Sequence, residues 1–439
     1  MFIINKYKFN NILILNFFIS LMPLALIVGN LITNLLILMT CLLGLFTFKR
    51  NLLFFENKIF LSLISLFFIY LFAITLYNNF PYLDVNSLYK SHIIKSVLFF
   101  RYLVFFLIIN KLIELKKFNY KLFILSCSFF STFLAIDILI QIIFGKDLIG
   151  NEIIFSKPSG FFGSELIAGG YLQKFSFFSI FIIFSLIKNN QFKDIFIIFY
   201  VSIIFFLINI SGNRMPALIY FISIIMFYLL TKNYKKIIYI FLIISTFFII
   251  FFNVSIFDKT RINIIKFYKS SVDLIYKAPQ LFYYNKYKDQ QRVEMDTSGY
   301  LIHFNSGIQI WKKNKIFGHG LKSFQLNCSF EPNQTCNTHP HNYFIEIMVD
   351  TGLVGLSIIY LLYLLGLINF FKVFFNLKNK NKYILLLFLI PIFFEFFPIR
   401  STGSFFTTGV ASYIFLILPF FLNPAGIKDF LLKEDSSKY

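Results

Sequence analysis

Two histidines stand at the start of a long apolar run, in the stretch THPHNYFIEIMVDTGLVGL, residues 338–356. His339 and His341 flank a single proline there. A neutral imidazole is the usual general base near pH 7, because its ordinary pKa lies close to that pH. The pair therefore indicates either a base that takes a proton from a hydroxyl group or, as the alternative, loop histidines that cap a helix. Gly352 and Gly355 in the same run favour close helix packing.

Charged residues inside the apolar runs are the second candidate for chemistry, because a charge within a membrane is costly and is usually functional. Five such residues are singled out: Lys95, Arg101, Asp137, Lys174 and Glu395. One interpretation is that Lys174 pairs with Asp137 only to neutralise charge. Arg400 and Glu395 would pair in the same way. The other interpretation is a cavity with an excess of cations, which would hold an anionic lipid headgroup such as a pyrophosphate.

The composition requires a lipid environment for the elements that position these residues. The chain has 439 residues, of which 58% are hydrophobic and only 14% charged, whereas soluble domains have about 25% charged residues. Crossing a membrane takes roughly 20 apolar residues. About twelve runs meet this need, near residues 11–29, 31–48, 59–77, 93–110, 121–144, 166–187, 194–210, 216–231, 236–252, 343–371, 383–399 and 405–422. We therefore predict an all-α polytopic membrane protein whose basic N-terminal segment leads into an uncleaved first span.

Lysine and arginine concentrate in alternate connections between these runs. Basic residues in short loops mark the cytoplasmic side, so both termini are predicted to be cytoplasmic. The opposite short loops hold few basic residues: Lys90, Lys146, Lys157, Arg214 and Arg400. Much of the formal net charge of +21 is thus a topological signal, and no nucleic-acid partner is expected. The five charged residues within the runs then lie near the middle or in the outer half of the membrane.

One connection is much longer than the others and divides the chain into four parts. Residues 1–252 carry transmembrane helices 1–9, and residues 253–342 form a large, partly helical periplasmic loop. Residues 343–422 carry helices 10–12, and residues 423–439 form a cytoplasmic tail. A polar loop of this length on a membrane body is usually functional.

Two cysteines of this loop would form a disulfide in an oxidising compartment. Cys328 and Cys336 lie in CSFEPNQTC, where a disulfide would close a short loop just before the histidine pair. Two free thiols are the alternative. Cys41 and Cys127 fall inside apolar runs and are expected to pack there. The sequence has no Cys/His spacing typical of a zinc site, so no metal and no cofactor are expected.

Two further stretches lie at predicted outer membrane boundaries. KPSGFFGSELIAGGYL, residues 157–172, is a glycine-rich loop that enters a helix, and an outward-facing helix N-terminus favours an anion. SGNRMPALIYF, residues 211–221, places Arg214 in a turn between two spans. An arginine that snorkels to the interface is the simpler interpretation of this second stretch taken alone.

Together these stretches resemble one family. HPHNYFIEIMVDTGLVGL resembles the His-Asn…Glu-x-Gly-x-x-Gly signature of the O-antigen ligase and O-antigen polymerase superfamily. IWKKNKIFGHGLKSF, residues 310–324, resembles the family segment that precedes this signature. SGNRMPAL resembles the family's Ser-x-Arg turn, and SGFFGSELIAGGYL its upstream glycine-rich segment. The resemblance covers residues 150–360 by motif and most of the chain by topology.

The resemblance implies a metal-independent, inverting glycosyltransferase in the bacterial inner membrane, with its active site facing the periplasm. The implied donor is an undecaprenyl-pyrophosphate-linked glycan, and the acceptor is lipid A-core or another glycan. By motif position, His341 matches the family's essential histidine, and Arg214 matches an arginine that engages pyrophosphate. Asp350 stands where the family usually has glutamate.

The chain also departs from the family. A second loop arginine usually precedes the tryptophan, but this sequence has Tyr300 and His303 there, and Arg292 is out of register. Lys157 stands where arginine is common, which keeps the charge and loses the bidentate geometry.

The expected site therefore has His341 and Arg214 as catalytic residues. Six residues are expected to bind substrate: Lys157, Arg101, His339, His303, Asn342 and Arg400. Three alternatives remain at this point. A polymerase shares the chemistry and differs in its acceptor. A transporter or flippase would have paired six-span halves, and no internal repeat is visible. A metal-dependent transferase would carry an Asp-x-Asp pair, which this sequence lacks.

Overall fold

The structure is a computed structural model. It describes residues 2–84, 87–155, 157–187, 189–253, 262, 265, 299–328, 338–377, 379–396 and 403–429. Within these residues the regular elements are helices, with two isolated β-bridges near residues 146–157. The predicted all-helical class is confirmed for this part of the chain.

The first half of the chain contributes α1 (Phe2–Ser20), α2 (Met22–Val28), α3 (Asn30–Phe48), α4 (Lys58–Asn79), α5 (Ser87–Glu114), α6 (Tyr120–Phe144), α7 (Ala168–Phe175), α8 (Phe178–Leu186) and α9 (Asn190–Ile210). The second half contributes α10 (Arg214–Leu230), α11 (Tyr234–Asn253), α12 (Gly299–Lys313), α13 (Ser323–Cys328), α14 (Tyr343–Phe375), α15 (Asn379–Glu395) and α16 (Thr408–Leu422).

Within the described residues, fewer helices than the predicted twelve qualify as membrane spans by length and composition. Six helices of the described chain are long and apolar enough to cross a membrane, and the number rises to eight if each of two bent pairs is one span. The pairs are α1–α2, bent by 43°, and α7–α8, bent by 49°. α10 has only 17 residues, or about 26 Å at 1.5 Å per residue, against roughly 30 Å of hydrocarbon. A helix or a bent pair of helices lies in each predicted run, but twelve full spans are not confirmed.

Aromatic rings form the centre of the helix bundle. Phe123 of α6 contacts Phe178 of α8 and Phe420 of α16, with ring centroids 5.7 and 5.3 Å apart. Phe388 of α15 contacts Phe178 and Phe420 at 5.1 and 5.0 Å. These four rings join α6, α8, α15 and α16 into one packed unit, since such ring pairs add to the stabilisation from burial alone.

Helix α14 is interrupted at Gly352, whose φ of 62° and ψ of −164° are not helical. The segment 314–322 lies in this break. Lys315 and Ile316 accept hydrogen bonds through their carbonyl oxygens from the N–H groups of Leu353 and Val354, at 2.9 and 3.2 Å. A Cβ atom on Gly352 would lie 2.2 Å from the Ile316 carbonyl oxygen. The expectation that this glycine serves helix packing is therefore wrong, because the glycine admits a loop.

The same segment contacts α4. The Leu321 N–H donates to Thr75 Oγ1 at 2.8 Å, and the Tyr70 hydroxyl donates to the Phe317 carbonyl at 2.8 Å. The segment 314–322, called the wedge loop below, is thus held between α4 and the break in α14. Its position fixes the residues that follow it.

The charged residues inside the bundle pair differently from the expectation. Lys174 of α7 forms a salt bridge with Glu395 of α15 at 3.2 Å, not with Asp137. The Asp137 carboxylate instead accepts a hydrogen bond from the Leu148 N–H at 2.9 Å. Arg400, the predicted partner of Glu395, lies outside the described residues.

Candidate active site

Three histidines come together where α12 meets the start of α14. The ring centroid of His341 lies 4.2 Å from that of His339 and 5.2 Å from that of His303. α12 approaches closely here, because a Cβ atom on Gly307 would lie 2.4 Å from Ile345 Cγ2. These three residues are called the histidine cluster below, and each was selected from the sequence.

The backbone at the cluster is constrained. His341 has a φ of 56°, in the left-handed region, where histidine is found more often than most side chains. The next residue, Asn342, is 3% exposed and caps α14, since its side-chain oxygen accepts the Ile345 N–H at 3.1 Å. The structure thus gives Asn342 a capping role, whereas the sequence suggested substrate binding.

His339 is a neutral member of the cluster. Burial lowers the pKa of His339 to about 4, and the charges of His341, Lys322 and His303 act in the same direction. Its Nδ1 lies 3.0 Å from Thr338 Oγ1. Its Nε2 is buried and has no hydrogen-bond partner among the described residues. His339 can therefore accept or donate a hydrogen bond near neutral pH without carrying charge.

Lys322 is a cation near this cluster that the sequence reasoning missed. It ends the wedge loop with a φ of 58°, and its N–H donates to Asp350 Oδ2 at 2.7 Å. The neighbouring Ser323 donates to Asp350 Oδ1 through both its N–H, at 3.1 Å, and its hydroxyl, at 2.8 Å. The only available signal was that Lys322 is the one basic residue besides a histidine in GHGLKSF.

Two buried carboxylates on α14 hold loops in place. Asp350 is 0% exposed and fixes the start of α13 through the hydrogen bonds just described. Glu346 lies one turn earlier and accepts the Ser404 hydroxyl at 2.5 Å and the Phe405 N–H at 2.6 Å. The sequence shows both as acidic residues four positions apart in an apolar run, but it did not lead us to predict that they hold loops.

The turn that carries Arg214 contacts the glycine-rich stretch. The turn, residues 211–214, leads directly into α10. Gly212 has a φ of 75°, and a Cβ atom there would lie 2.7 Å from Lys157 Cδ, so the lysine chain crosses this glycine. A Cβ atom on Gly169 would lie 2.6 Å from Asn213 Cβ. The structure therefore brings Lys157 to the turn that starts at Ser211, here called the arginine turn.

Polar contacts link the helix of the histidine cluster to α7, and α7 in turn packs on the arginine turn. The Tyr343 hydroxyl donates to Glu395 Oε1 at 2.9 Å, and Lys174 Nζ lies 3.2 Å from the same oxygen. Lys174 also lies over the Tyr413 ring, 4.4 Å from its centroid. Lys174 belongs to α7, whose first turn packs on the arginine turn through Gly169.

Arg101 stands apart from both groups. Its guanidinium donates to the Leu98 carbonyl at 3.0 Å and to the Tyr102 hydroxyl at 2.9 Å, both within α5. No contact described for Arg101 reaches the histidine cluster or the arginine turn. Arg400, also predicted to bind substrate, lies outside the described residues.

The described cysteines differ in their covalent state. Cys328 is disulfide-bonded, whereas Cys41 and Cys127 are free and buried. Cys336 lies outside the described residues, so its pairing with Cys328 stays a prediction. Within the described ranges, no group of three or more His, Cys, Asp or Glu side chains is arranged to hold a metal ion.

No curated protein matches the chain. Residues 199–361 match a family model described as O-antigen ligase. The matched stretch contains the arginine turn, the wedge loop and the histidine cluster, whereas the glycine-rich stretch at 157–172 lies before it. The segments that resembled the family in sequence and that contact one another in the structure therefore lie mostly inside one recognised domain. Over residues 199–361 the chain is therefore similar to the O-antigen ligase family, in agreement with the resemblance of its motifs.

Proposed function

We propose that this protein is a membrane glycosyltransferase that moves a glycan from an undecaprenyl-pyrophosphate carrier to an acceptor hydroxyl. We propose further that it is an O-antigen ligase, with lipid A-core as the acceptor. The observation that carries the proposal is the histidine cluster at the start of α14, inside the stretch that matches the family.

His341 is the proposed base. It takes the proton of the acceptor hydroxyl while the hydroxyl oxygen attacks the anomeric carbon of the glycan. The bond from that carbon to the pyrophosphate breaks, and its electron pair leaves with the phosphate oxygen. Attack opposite the leaving group inverts the anomeric centre. His339 supports this role because its lowered pKa keeps it neutral, so it adds no positive charge that would disfavour protonation of His341.

Arg214 and Lys157 are proposed to stabilise the departing pyrophosphate. Cations positioned where negative charge develops lower the barrier to bond cleavage. Lys157 crosses Gly212 in the arginine turn, so its charge supplements Arg214. Arg101 is left out of this role, since its described contacts lie within α5.

We propose that the site faces the periplasm of the inner membrane. α4 begins at Lys58 in a basic connection, and the wedge loop contacts Thr75 near the opposite end of that helix. Basic connections mark the cytoplasmic side, so the wedge loop and the histidine cluster that follows it lie toward the other side.

The lipopolysaccharide banding of a deletion strain of the source bacterium tests the proposal. A ligase predicts that polymer accumulates on the lipid carrier and is missing from lipid A-core. A core that carries a single repeat unit would instead identify a polymerase, which joins lipid-linked repeats. An unchanged banding pattern would contradict both functions.

A further inference from the structure

A group of two lysines and one histidine lies beside the histidine cluster, on the side of α5. Its members are Lys322, His92 and Lys95, called the lysine pocket below. Lys322 follows Leu321, whose N–H donates to Thr75 of α4, and His92 and Lys95 lie one turn apart near the start of α5. The charge of Lys322 acts on His339, on His92 and on Lys95, in agreement with this placement. Lys322 and His92 were assigned no role from the sequence, whereas Lys95 was one of the five charged residues noted within the apolar runs.

The backbone contacts place the pocket at one end of α4 and α5. A Cβ atom on Gly320 would lie 2.8 Å from the Thr75 backbone, which presses the wedge loop onto α4. Tyr82, after the end of α4, stacks on Tyr89 of α5 with ring centroids 5.3 Å apart. His92 lies one turn further along α5. The first turns of α5 thus adjoin the wedge loop.

Lys322 is presented by a rigid backbone. The N–H groups of Gly320, Leu321 and Lys322 are all bonded to α4 or α14. The left-handed φ of Lys322 is unfavourable for a lysine, and such backbone strain clusters at binding and catalytic sites. The backbone that carries this lysine is therefore held by the fold at a cost in strain.

The pocket has more positive charge than the described residues neutralise. Lys322 forms no salt bridge with a described residue. The nearby carboxylates are those of Asp350 and Glu346, and both are occupied by hydrogen bonds that hold loops. His92 is 2% exposed, and its Nδ1 has no partner within the described ranges. A buried polar atom without a partner is costly and calls for a ligand or water.

We propose that Lys322, Lys95 and His92 form an anion site that takes a phosphate group of a membrane-anchored substrate. The inference rests on the proposed transferase function and adds a second anion site to it. The arginine turn is assigned the leaving pyrophosphate of the donor. The lysine pocket adjoins the proposed base through His339 and Lys322, so it suits a phosphate on the acceptor lipid or a second contact to the donor.

Binding to the purified full-length chain in detergent tests the site without any turnover. Lys322→Asn removes the charge, and asparagine accepts the left-handed backbone. Lys232→Asn is the matched control, because Lys232 is an exposed lysine with a φ of 57° at the turn between α10 and α11.

The probe is undecaprenyl pyrophosphate, or a lipid A-core preparation, and its binding is measured by titration calorimetry. Loss of a charged hydrogen-bond donor predicts about tenfold weaker binding of one of the two lipids to Lys322→Asn. Equal affinities of both variants for both lipids would overturn the site.

Transfer kinetics then identify which substrate carries the phosphate. A KM that rises only for the acceptor assigns the pocket to the acceptor, and a KM that rises only for the donor assigns it to the donor. Lys322→Arg should restore most of the lost affinity. A fall in kcat with both KM values unchanged would contradict the inference. If the wild-type protein shows no transfer but its lipid binding still depends on Lys322, the transferase function is refuted and the anion site is retained.

Discussion

His341 is held by its backbone as well as by its neighbours. Its left-handed φ and the Asn342 cap after it fix where the ring projects, and the rings of His303 and His339 contact it. The sequence predicted the importance of His341 from its motif position. It could not predict the backbone conformation, which follows from the junction of a loop with a capped helix.

Arg214 is expected to act through its geometry as well as its charge. Arg214→Lys should lower the transfer rate about tenfold, because a lysine contacts a phosphate through a single point and loses the bidentate geometry. Arg214→Met should lower the rate about 100-fold, the typical effect of removing one group that stabilises developing charge. Arg50→Met is the control, since Arg50 is exposed beside Lys58 on the basic side. Equal rates for wild type and Arg214→Met would exclude the role.

The stability of the fold is expected to depend on pH through His339. Burial lowers its pKa in the folded protein to about 4, below the ordinary 6.5. Between these values the unfolded chain binds more protons than the folded one, so stability falls as the pH drops from 6.5 toward 4. His339→Gln removes this contribution. The thermal midpoint of the wild type should therefore drop more between pH 7.5 and pH 5 than that of the variant. Parallel drops would show that His339 is not held neutral.

At the scale of elements, the break in α14 positions the site. The two glycines of this run looked like small residues for helix packing. Gly352 instead admits the wedge loop, through contacts between residues more than thirty positions apart in the chain. Local patterns do not encode such contacts. The motifs assigned residues 310–324 and the run after His341 to one family resemblance, and the hydrogen bonds between these segments are a finding of the structure.

Gly352→Ala tests the break directly. The variant combines a backbone conformation open almost only to glycine with a Cβ atom 2.2 Å from the Ile316 carbonyl oxygen. We expect a loss of about 1–3 kcal/mol in stability and a loss of transfer as the wedge loop shifts. Gly409→Ala in α16 is the control, because its Cβ atom would meet only Asn30 Oδ1 at 3.9 Å. Similar unfolding midpoints for both variants would contradict this account of α14.

The ion pair of Lys174 and Glu395 joins α7 to α15, and substitutions of the two residues test its contribution to stability. Glu395 is 0% exposed, so removal of either partner takes a buried group out of its ion pair. Lys174→Met and Glu395→Gln should each cost about 3–5 kcal/mol, and the double variant should recover part of that loss. Tyr343→Phe should cost about 1 kcal/mol. The measurement is chemical unfolding of the purified protein in detergent. Additive losses in the double variant would show that the two residues do not interact.

At the scale of the whole molecule, composition predicted the environment and the class. High hydrophobicity with little charge indicated a membrane protein, and the described residues form apolar helices at each predicted run. The number of spans was less predictable. Hydropathy does not register the 49° bend between α7 and α8, nor the short length of α10 and α16. Arg214 begins the short helix α10, and the glycine-rich stretch leads into the bent pair α7–α8.

We propose that the wedge loop, the break in α14 and the histidine cluster together place His341 against an acceptor hydroxyl. Asparagine tolerates the left-handed backbone at this position, so His341→Asn removes the base and keeps the conformation. His339→Asn is the matched control from the same cluster, and it should retain more of the activity.

The most direct test is the transfer rate of the purified chain in liposomes that contain an undecaprenyl-pyrophosphate-linked glycan and lipid A-core. We predict that His341→Asn lowers the rate at least about 100-fold, the usual range for a general base, while the protein remains folded and inserted. A rate within about twofold of the wild type, far from that range, would contradict the assignment of His341 as the base.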